Sequence, residues 1–410
     1  MDNPSESCIN MEDLLMEGFD YPLPDEQIAA FPLPERDGSR LLVYKSGRIE
    51  DSSFRQLPHF LPRGATLVLN DTRVIEARIF FQKPTGGVIE LFCLEPQVPA
   101  DMTRALESAG PVQWHCLIGG ASKWKPGQVL QKPLRIGGED VVLEARFISR
   151  EPDDFIVELQ WNGGHHFAEV LHAAGAIPLP PYIRRAAQTA DAERYQTIFA
   201  RQEGSVAAPT AALHFTDRVF ADLDEKGITR APVTLNVGAG TFKPVKSDSI
   251  GRHQMHAENF TVTAATLRML IAAPQIVAVG TTSLRTLESL YWIGIKSAAA
   301  GALQPELGQW EAYELNGDRS YTESLQVLLD LLEKEGGAEL NCRTALLIRP
   351  SYRFRSADAL VTNFHQPRST LVLLVAAFIG EDWRRVYQHA LEGGYRFLSY
   401  GDSSLLWRKS

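Results

Sequence analysis

The chain has little cysteine. Four residues, Cys8, Cys93, Cys116 and Cys342, are spread over 410 positions, and no two form a C-x-x-C pair. That spacing excludes a disulfide framework and a cysteine-based zinc site, and it fits a reducing compartment. Positive charge is not in excess: the net charge of −9 argues against a protein that coats nucleic acid or anionic lipid without specificity. Long apolar runs are missing as well. The longest, Leu371 to Ile379, is about half of what a bilayer crossing needs. The opening MDNPSESCINMEDLL has neither a basic start nor an apolar centre, so no secretory signal is visible. The expectation is a cytoplasmic protein with no membrane partner.

What is present is ordinary globular material, 44% hydrophobic and 22% charged, in a chain long enough for more than one domain. Between about 76 and 164 the runs VIELFCL, VQWHCLIG, VVLEARFI and FIVELQW are rich in β-branched and aromatic residues. Gly86-Gly87, Gly119-Gly120 and Gly137-Gly138 punctuate them, as antiparallel strands with tight turns require. The flanks alternate. LVLN, VTLNVG, IVAVG, TALLIRP and ALVTNF read as buried strands. TTSLRTLESLYW, LQVLLDLLEK and RSTLVLLVAAFI read as helices. The predicted fold is α/β: a discontinuous three-layer α/β domain (1–75 and 165–410) interrupted by a small antiparallel β-barrel (76–164).

Polar clusters follow the predicted strands, where open α/β sheets bind ligands. Asn70-Asp71-Thr72-Arg73 follows one strand, Gly238-Ala239-Gly240-Thr241 another, Gly280-Thr281-Thr282-Ser283 a third and Asn363-Phe364-His365 a fourth. The Gly-x-Gly at 238–240 lacks the third glycine of a dinucleotide fingerprint, but still admits close approach of backbone to ligand. Thr281, Thr282 and Ser283 open a helix, where free N–H groups suit a carboxylate or phosphate as well as a capping hydroxyl. In HQMHAE, His253 and His256 are three apart rather than four, so the segment does not match the helical zinc motif. A composite metal site with His214, a plain surface loop, and acid–base work by His256 and Glu258 all stay open on spacing alone. Arg349, Arg353 and Arg355 interleave with Tyr352 and Phe354, a pattern that can grip phosphates.

Nine blocks carry a resemblance. FDYPLPDEQIAAFPLPERDGSRLLVY, LVLNDTRVIEARI, PLPPYIRR, SVAAPTAALHFT, NVGAGTFKPV, HQMHAENF, VGTTSLRTLES, LVTNFHQPRSTLVLLVAAF and GYRFLSYGDSSLL occur in this order from about Phe19 to Leu406. Together they resemble the S-adenosylmethionine:tRNA ribosyltransferase-isomerase family of the queuosine pathway. The resemblance implies an α/β domain with an inserted barrel. It also implies a reaction that moves the ribosyl part of S-adenosylmethionine onto a 7-aminomethyl-7-deazaguanine at the tRNA wobble position. Adenine and methionine leave, epoxyqueuosine forms, and no metal takes part.

Carried onto this chain, the resemblance gives His256, Glu258 and Asp71 as candidates for removing the proton next to sulfur. His214 and His365 are candidates for protonating adenine, and Asp402 is a further titratable group. Thr281, Thr282, Ser283 and Arg285 would hold the methionine carboxylate, and Gly238, Gly240 and Thr241 the adenosyl part. Asn70 and Arg73 would meet ribose or the deazaguanine, and Arg368 would join Arg349, Arg353 and Arg355 at the tRNA phosphates. A monomer is expected. The family often has His where this chain has Asn236, an amide that hydrogen-bonds without titrating. The rival readings are a metal-dependent hydrolase using His214, His253 and His256, and a tRNA-binding protein without catalysis.

Overall fold

A computed structural model describes residues 14–125, 127–238 and 248–409. Gly240 and Thr241 lie outside them. The chain forms two compact units. One comprises the described residues of Met1–Asn70, Thr210–Leu235 and Phe242–Ser410; the other those of Asp71–Pro209 and Asn236–Thr241.

The first unit is built on a ten-stranded mixed sheet. Its strands are β1 (Arg40–Lys45), β2 (Arg48–Ser53), β3 (Thr66–Asn70), β13 (Thr229–Leu235), β14 (Glu258–Thr263), β15 (Ile276–Val279), β16 (Glu306–Leu307), β17 (Glu339–Thr344), β18 (Ala359–Asn363) and β19 (Ser403–Trp407). Their order is β16-β17-β14-β13-β3-β15-β18-β19-β1-β2. The four central strands, β13, β3, β15 and β18, run parallel. Every residue of β3, β15 and β18 is buried. Strands covered on both faces need continuous apolar runs, which is why TLVL and IVAV show no alternation. Helices Thr281–Ala300, Tyr321–Lys334 and Thr370–Ile379 occupy the spans read as helical. TALLIRP departs from expectation: β17 ends at Thr344, and Leu346 to Ile348 are buried without a ladder. Short apolar runs do not distinguish a strand from packed irregular chain.

The second unit holds β4 (Thr72–Val74), β5 (Arg78–Gln82), β6 (Val88–Val98), β7 (Val112–Gly119), β8 (Leu130–Ile136), β9 (Glu139–Arg150), β10 (Phe155–Trp161), β11 (Gly175–Ala176) and β12 (Gln202–Ser205). Seven of them make one antiparallel sheet, β11-β5-β6-β7-β10-β9-β8. It curls: Lys132 on β8 donates to the Phe80 carbonyl on β5 at 3.0 Å, although these strands are near opposite ends of the order. Inside the curl Trp114 packs on Phe167, which opens the helix Phe167–Ala174. Gly137 and Gly138 both have positive φ, as the two-residue turn between β8 and β9 demands.

Candidate functional site

Register sets the parallel strand ends level. Val68 on β3 pairs with Ala278 on β15, and Val279 pairs with Val361 on β18. Asn70, Gly280 and Thr362 therefore share one row at the carboxyl edge, with neighbours about 4.8 Å apart. The flanking antiparallel strands bring their motifs to the same edge. Leu235 pairs with Phe260, so β14 begins at Glu258 beyond the end of β13. Asn363 pairs with Ser403, which places Asp402 just outside the row. Five motifs distant in sequence thus meet at one edge of the sheet.

The helix Thr281–Ala300 starts in this row. Its N-cap is Gly280, at φ 90°, and no side chain caps it. A Cβ at Gly280 would be strained by that φ and would come within 3.7 Å of the Ala211 side chain. The expected capping by hydroxyls is not what the structure adopts. The Ser283 hydroxyl is fully buried and has no hydrogen-bond partner among the described residues. An uncapped helix start concentrates partial positive charge on its first N–H groups, which is what an anionic ligand needs.

Opposite charges from this helix and from the first residue of β14 meet. Arg285 and Glu258 form a buried ion pair. Burial pushes the guanidinium of Arg285 down to about 10, leaving it charged at neutral pH. His253 and His256 lie in the irregular segment before β14. His256 is exposed, whereas burial, and then the neighbouring His256, push the His253 imidazole down. His253 keeps its backbone carbonyl on Gln309 Nε2 at 2.6 Å. Among the described residues no group of three His, Cys, Asp or Glu side chains could hold a metal, so the hydrolase reading with His214, His253 and His256 finds no support in the geometry.

His214 is buried against Phe54, with ring centroids 5.0 Å apart. Burial pushes its imidazole down to about 4, against an opposing pull from Asp402. Its Nε2 is buried without a hydrogen-bond partner among the described residues. His365 is pushed further, to about 3, by burial, and its Nε2 lies 2.9 Å from the Thr362 hydroxyl. Both rings are neutral at pH 7. Asp402 accepts from the backbone N–H groups of Arg40 and Arg396 at 3.0 and 2.8 Å. Asn363 donates to the carbonyl of Leu398 at 2.9 Å and holds that residue at φ 69°, unusual for a bulky side chain. Its Oδ1 is buried and unpartnered among the described residues.

The late arginines divide. Arg349, expected at a phosphate surface, is instead buried over the Tyr313 ring at 5.0 Å, and Arg355 lies over Tyr291 at 5.5 Å. Both stems are drawn in by aromatic faces. Arg353 is exposed, and Arg368, at φ 55°, reaches Asp248 at 3.6 Å. The remaining candidates belong to the second unit. Asp71 is buried and accepts through its carbonyl from Arg201 N at 2.7 Å. Arg73 reaches Glu203 at 3.7 Å, and Gly238 is half-buried. Asn236 takes a 3.1 Å bond from the Thr72 hydroxyl.

Sequence reasoning missed Asn363 as a pinning group and Glu288 as a buried hub. The only signals for them were a polar residue closing an apolar strand and a lone acid on a helix face that is otherwise apolar.

A family model described as "Queuosine biosynthesis protein" matches residues 16–406. An S-adenosylmethionine:tRNA ribosyltransferase-isomerase from Anaeromyxobacter sp. (strain Fw109-5) is 42% identical over 405 residues, covering 96% of this chain and 99% of the relative. A relative of the same name from Azoarcus sp. (strain BH72) is 40% identical, with coverage of 96% and 98%. A crystal structure of an S-adenosylmethionine tRNA ribosyltransferase from Thermotoga maritima is 29% identical, covers 95% of this chain and 99% of its own, and superposes with a TM-score of 0.45.

Proposed function

The chain belongs to the queuosine biosynthesis protein family, and on that premise we propose that it transfers and isomerises the ribosyl moiety of S-adenosylmethionine onto 7-aminomethyl-7-deazaguanine at the wobble position of a tRNA. Adenine and methionine are the leaving products and epoxyqueuosine-tRNA is the result. The observation that supports this reading most is the shared row of Asn70, Gly280 and Thr362, with an uncapped helix start in its middle.

The methionine carboxylate is assigned to the N–H groups of Thr281, Thr282 and Ser283, where the helix dipole favours an anion. Arg285 is already balanced by Glu258, so it steadies the site rather than clamping the carboxylate alone. Glu258, His256 and Asp71 remain the candidates for taking the proton from the carbon beside the sulfonium. Of these Glu258 and Asp71 are buried, where a charge is less screened by water, and His256 is exposed. His214 and His365, held neutral, meet adenine as hydrogen-bond groups. An imidazole near 4 carries almost no proton to give at pH 7, so His214 meets the leaving base as a neutral hydrogen-bonding ring and not as an imidazolium. Gly238, Gly240 and Thr241 are kept for the adenosyl part, and Asn70 and Arg73 for ribose or deazaguanine. Arg353 and Arg368 are assigned to tRNA phosphates. The nucleotide must leave its stack to reach the site. The working form is taken to be a cytoplasmic monomer acting without a metal.

The test is incubation of the protein with S-adenosylmethionine and a tRNA bearing the aminomethyl base. Free adenine should appear in step with the modified tRNA. Adenine release that ignores the base at the wobble position would reject the reading. His256→Ala should slow turnover with cofactor affinity unchanged; full turnover removes it from the base candidates.

A further inference from the structure

The helix that begins at the proposed cofactor cradle carries a buried acid two turns along. Glu288 is fully buried, and no Lys, Arg or His side-chain nitrogen forms an ion pair with it among the described residues. Its Oε1 accepts from the backbone N–H groups of Arg355 and Ser356 at 3.0 and 2.9 Å, and from the Ser356 hydroxyl at 2.5 Å. Its Oε2 accepts from the Tyr352 hydroxyl at 2.8 Å and from Arg355 N at 3.2 Å. The Tyr352 oxygen is itself filled by the Trp292 indole N–H at 2.7 Å, so the tyrosine proton has only Glu288 to go to. Trp292 is one turn beyond Glu288 on the same helix face.

A buried charge without a counter-ion is costly, and an apolar side chain of the same volume would pack without that cost. Only an acceptor can gather four donors from one irregular segment. All the donors it gathers from outside its helix belong to Tyr352, Arg355 and Ser356. Between them stands Arg353, exposed and next to the turn at Ser351, where φ is 77°. The far end of the loop is fixed by Arg349, whose N–H donates to the Tyr313 hydroxyl at 3.1 Å.

We propose that Glu288 is a positioning residue: it ties the loop from Arg349 to Ser356 to the helix Thr281–Ala300, so that Arg353 meets tRNA phosphate in a fixed place relative to the cofactor end of that helix. The inference rests on reading this loop as part of the tRNA surface. Glu288→Leu removes the acceptor. Glu288→Gln keeps one oxygen for the two N–H donors and the Ser356 hydroxyl, and gives up only the acceptor of the Tyr352 proton.

The experiment measures tRNA binding and separate KM values for tRNA and S-adenosylmethionine. Glu288→Leu should raise the tRNA Kd by roughly tenfold, the equivalent of about 1.4 kcal/mol, and leave the S-adenosylmethionine KM in place. Glu288→Gln should restore most of the affinity. In an Arg353→Ala background the leucine variant should add little, because both act on one contact. If Glu288→Leu does not fold, Ser356→Ala replaces it, with a smaller rise in Kd that also vanishes in the Arg353→Ala background. An unchanged tRNA Kd in Glu288→Leu while Arg353→Ala weakens binding overturns the positioning role. So do fully additive effects, or equal losses for both substrates. If Arg353→Ala itself leaves tRNA binding and its salt dependence untouched, the reading of the loop falls, and this inference with it.

Discussion

His214 and His365 are the residues whose chemistry the fold changes most. Both are pushed below the ordinary imidazole value of 6.5, to about 4 and about 3. The unfolded chain therefore binds more protons than the native one between those values and about 6.5. Their contribution to stability is present above pH 6.5 and is lost as pH falls toward 4. Replacing His214 with Gln should flatten that part of the stability–pH profile, measured by denaturant midpoints at pH 7 and pH 5; an unchanged slope would count against a buried neutral ring. Gly280→Ala tests a different kind of residue. Its φ of 90° is a backbone conformation that strains any Cβ, so activity should drop well over tenfold with a stability loss of about 1–3 kcal/mol. The sequence identified these residues by type and place after a strand. It could not tell that the histidines are neutral or that the glycine caps the helix, since both facts depend on what packs around them.

The elements were largely readable. Three of the four parallel strands at the centre of the large sheet, β3, β15 and β18, announce themselves as short apolar runs, and the curled antiparallel sheet as β-branched and aromatic runs with glycine turns. TALLIRP misleads because burial alone makes a chain apolar. The edge of the sheet was legible only as a set of polar clusters. Register, which no local pattern encodes, is what brings Asn70, Gly280 and Thr362 into one row. Asn363 shows the same limit: its position after ALVT was visible, but not its hold on Leu398 thirty-five residues away. Asn363→Ala removes one of the two bonds to that carbonyl, which keeps the Gly401 N–H at 2.9 Å, so stability should fall by about 0.5–1.5 kcal/mol. Chemical denaturation reads it, and a change below about 0.5 kcal/mol would mean the turn is held by other interactions.

At the scale of the molecule, a chain of net charge −9 has to recognise a polyanion. Such recognition depends on a few placed cations, not on bulk charge. Removing Arg353 and Arg368 together should lower the slope of log Kd against log salt by about 0.7–0.9 for each phosphate that is no longer neutralised. A slope equal to that of the wild type would put the tRNA surface elsewhere. The central claim is that the sheet edge is the place where S-adenosylmethionine is held. Hydrogen exchange on the tRNA-bound protein, with and without S-adenosylmethionine and using a tRNA that lacks the reactive amine, measures this directly. Protection should rise over the helix start at 280–287 and around 362–366. Protection confined to the curled antiparallel sheet, with those segments exchanging as before, would contradict it.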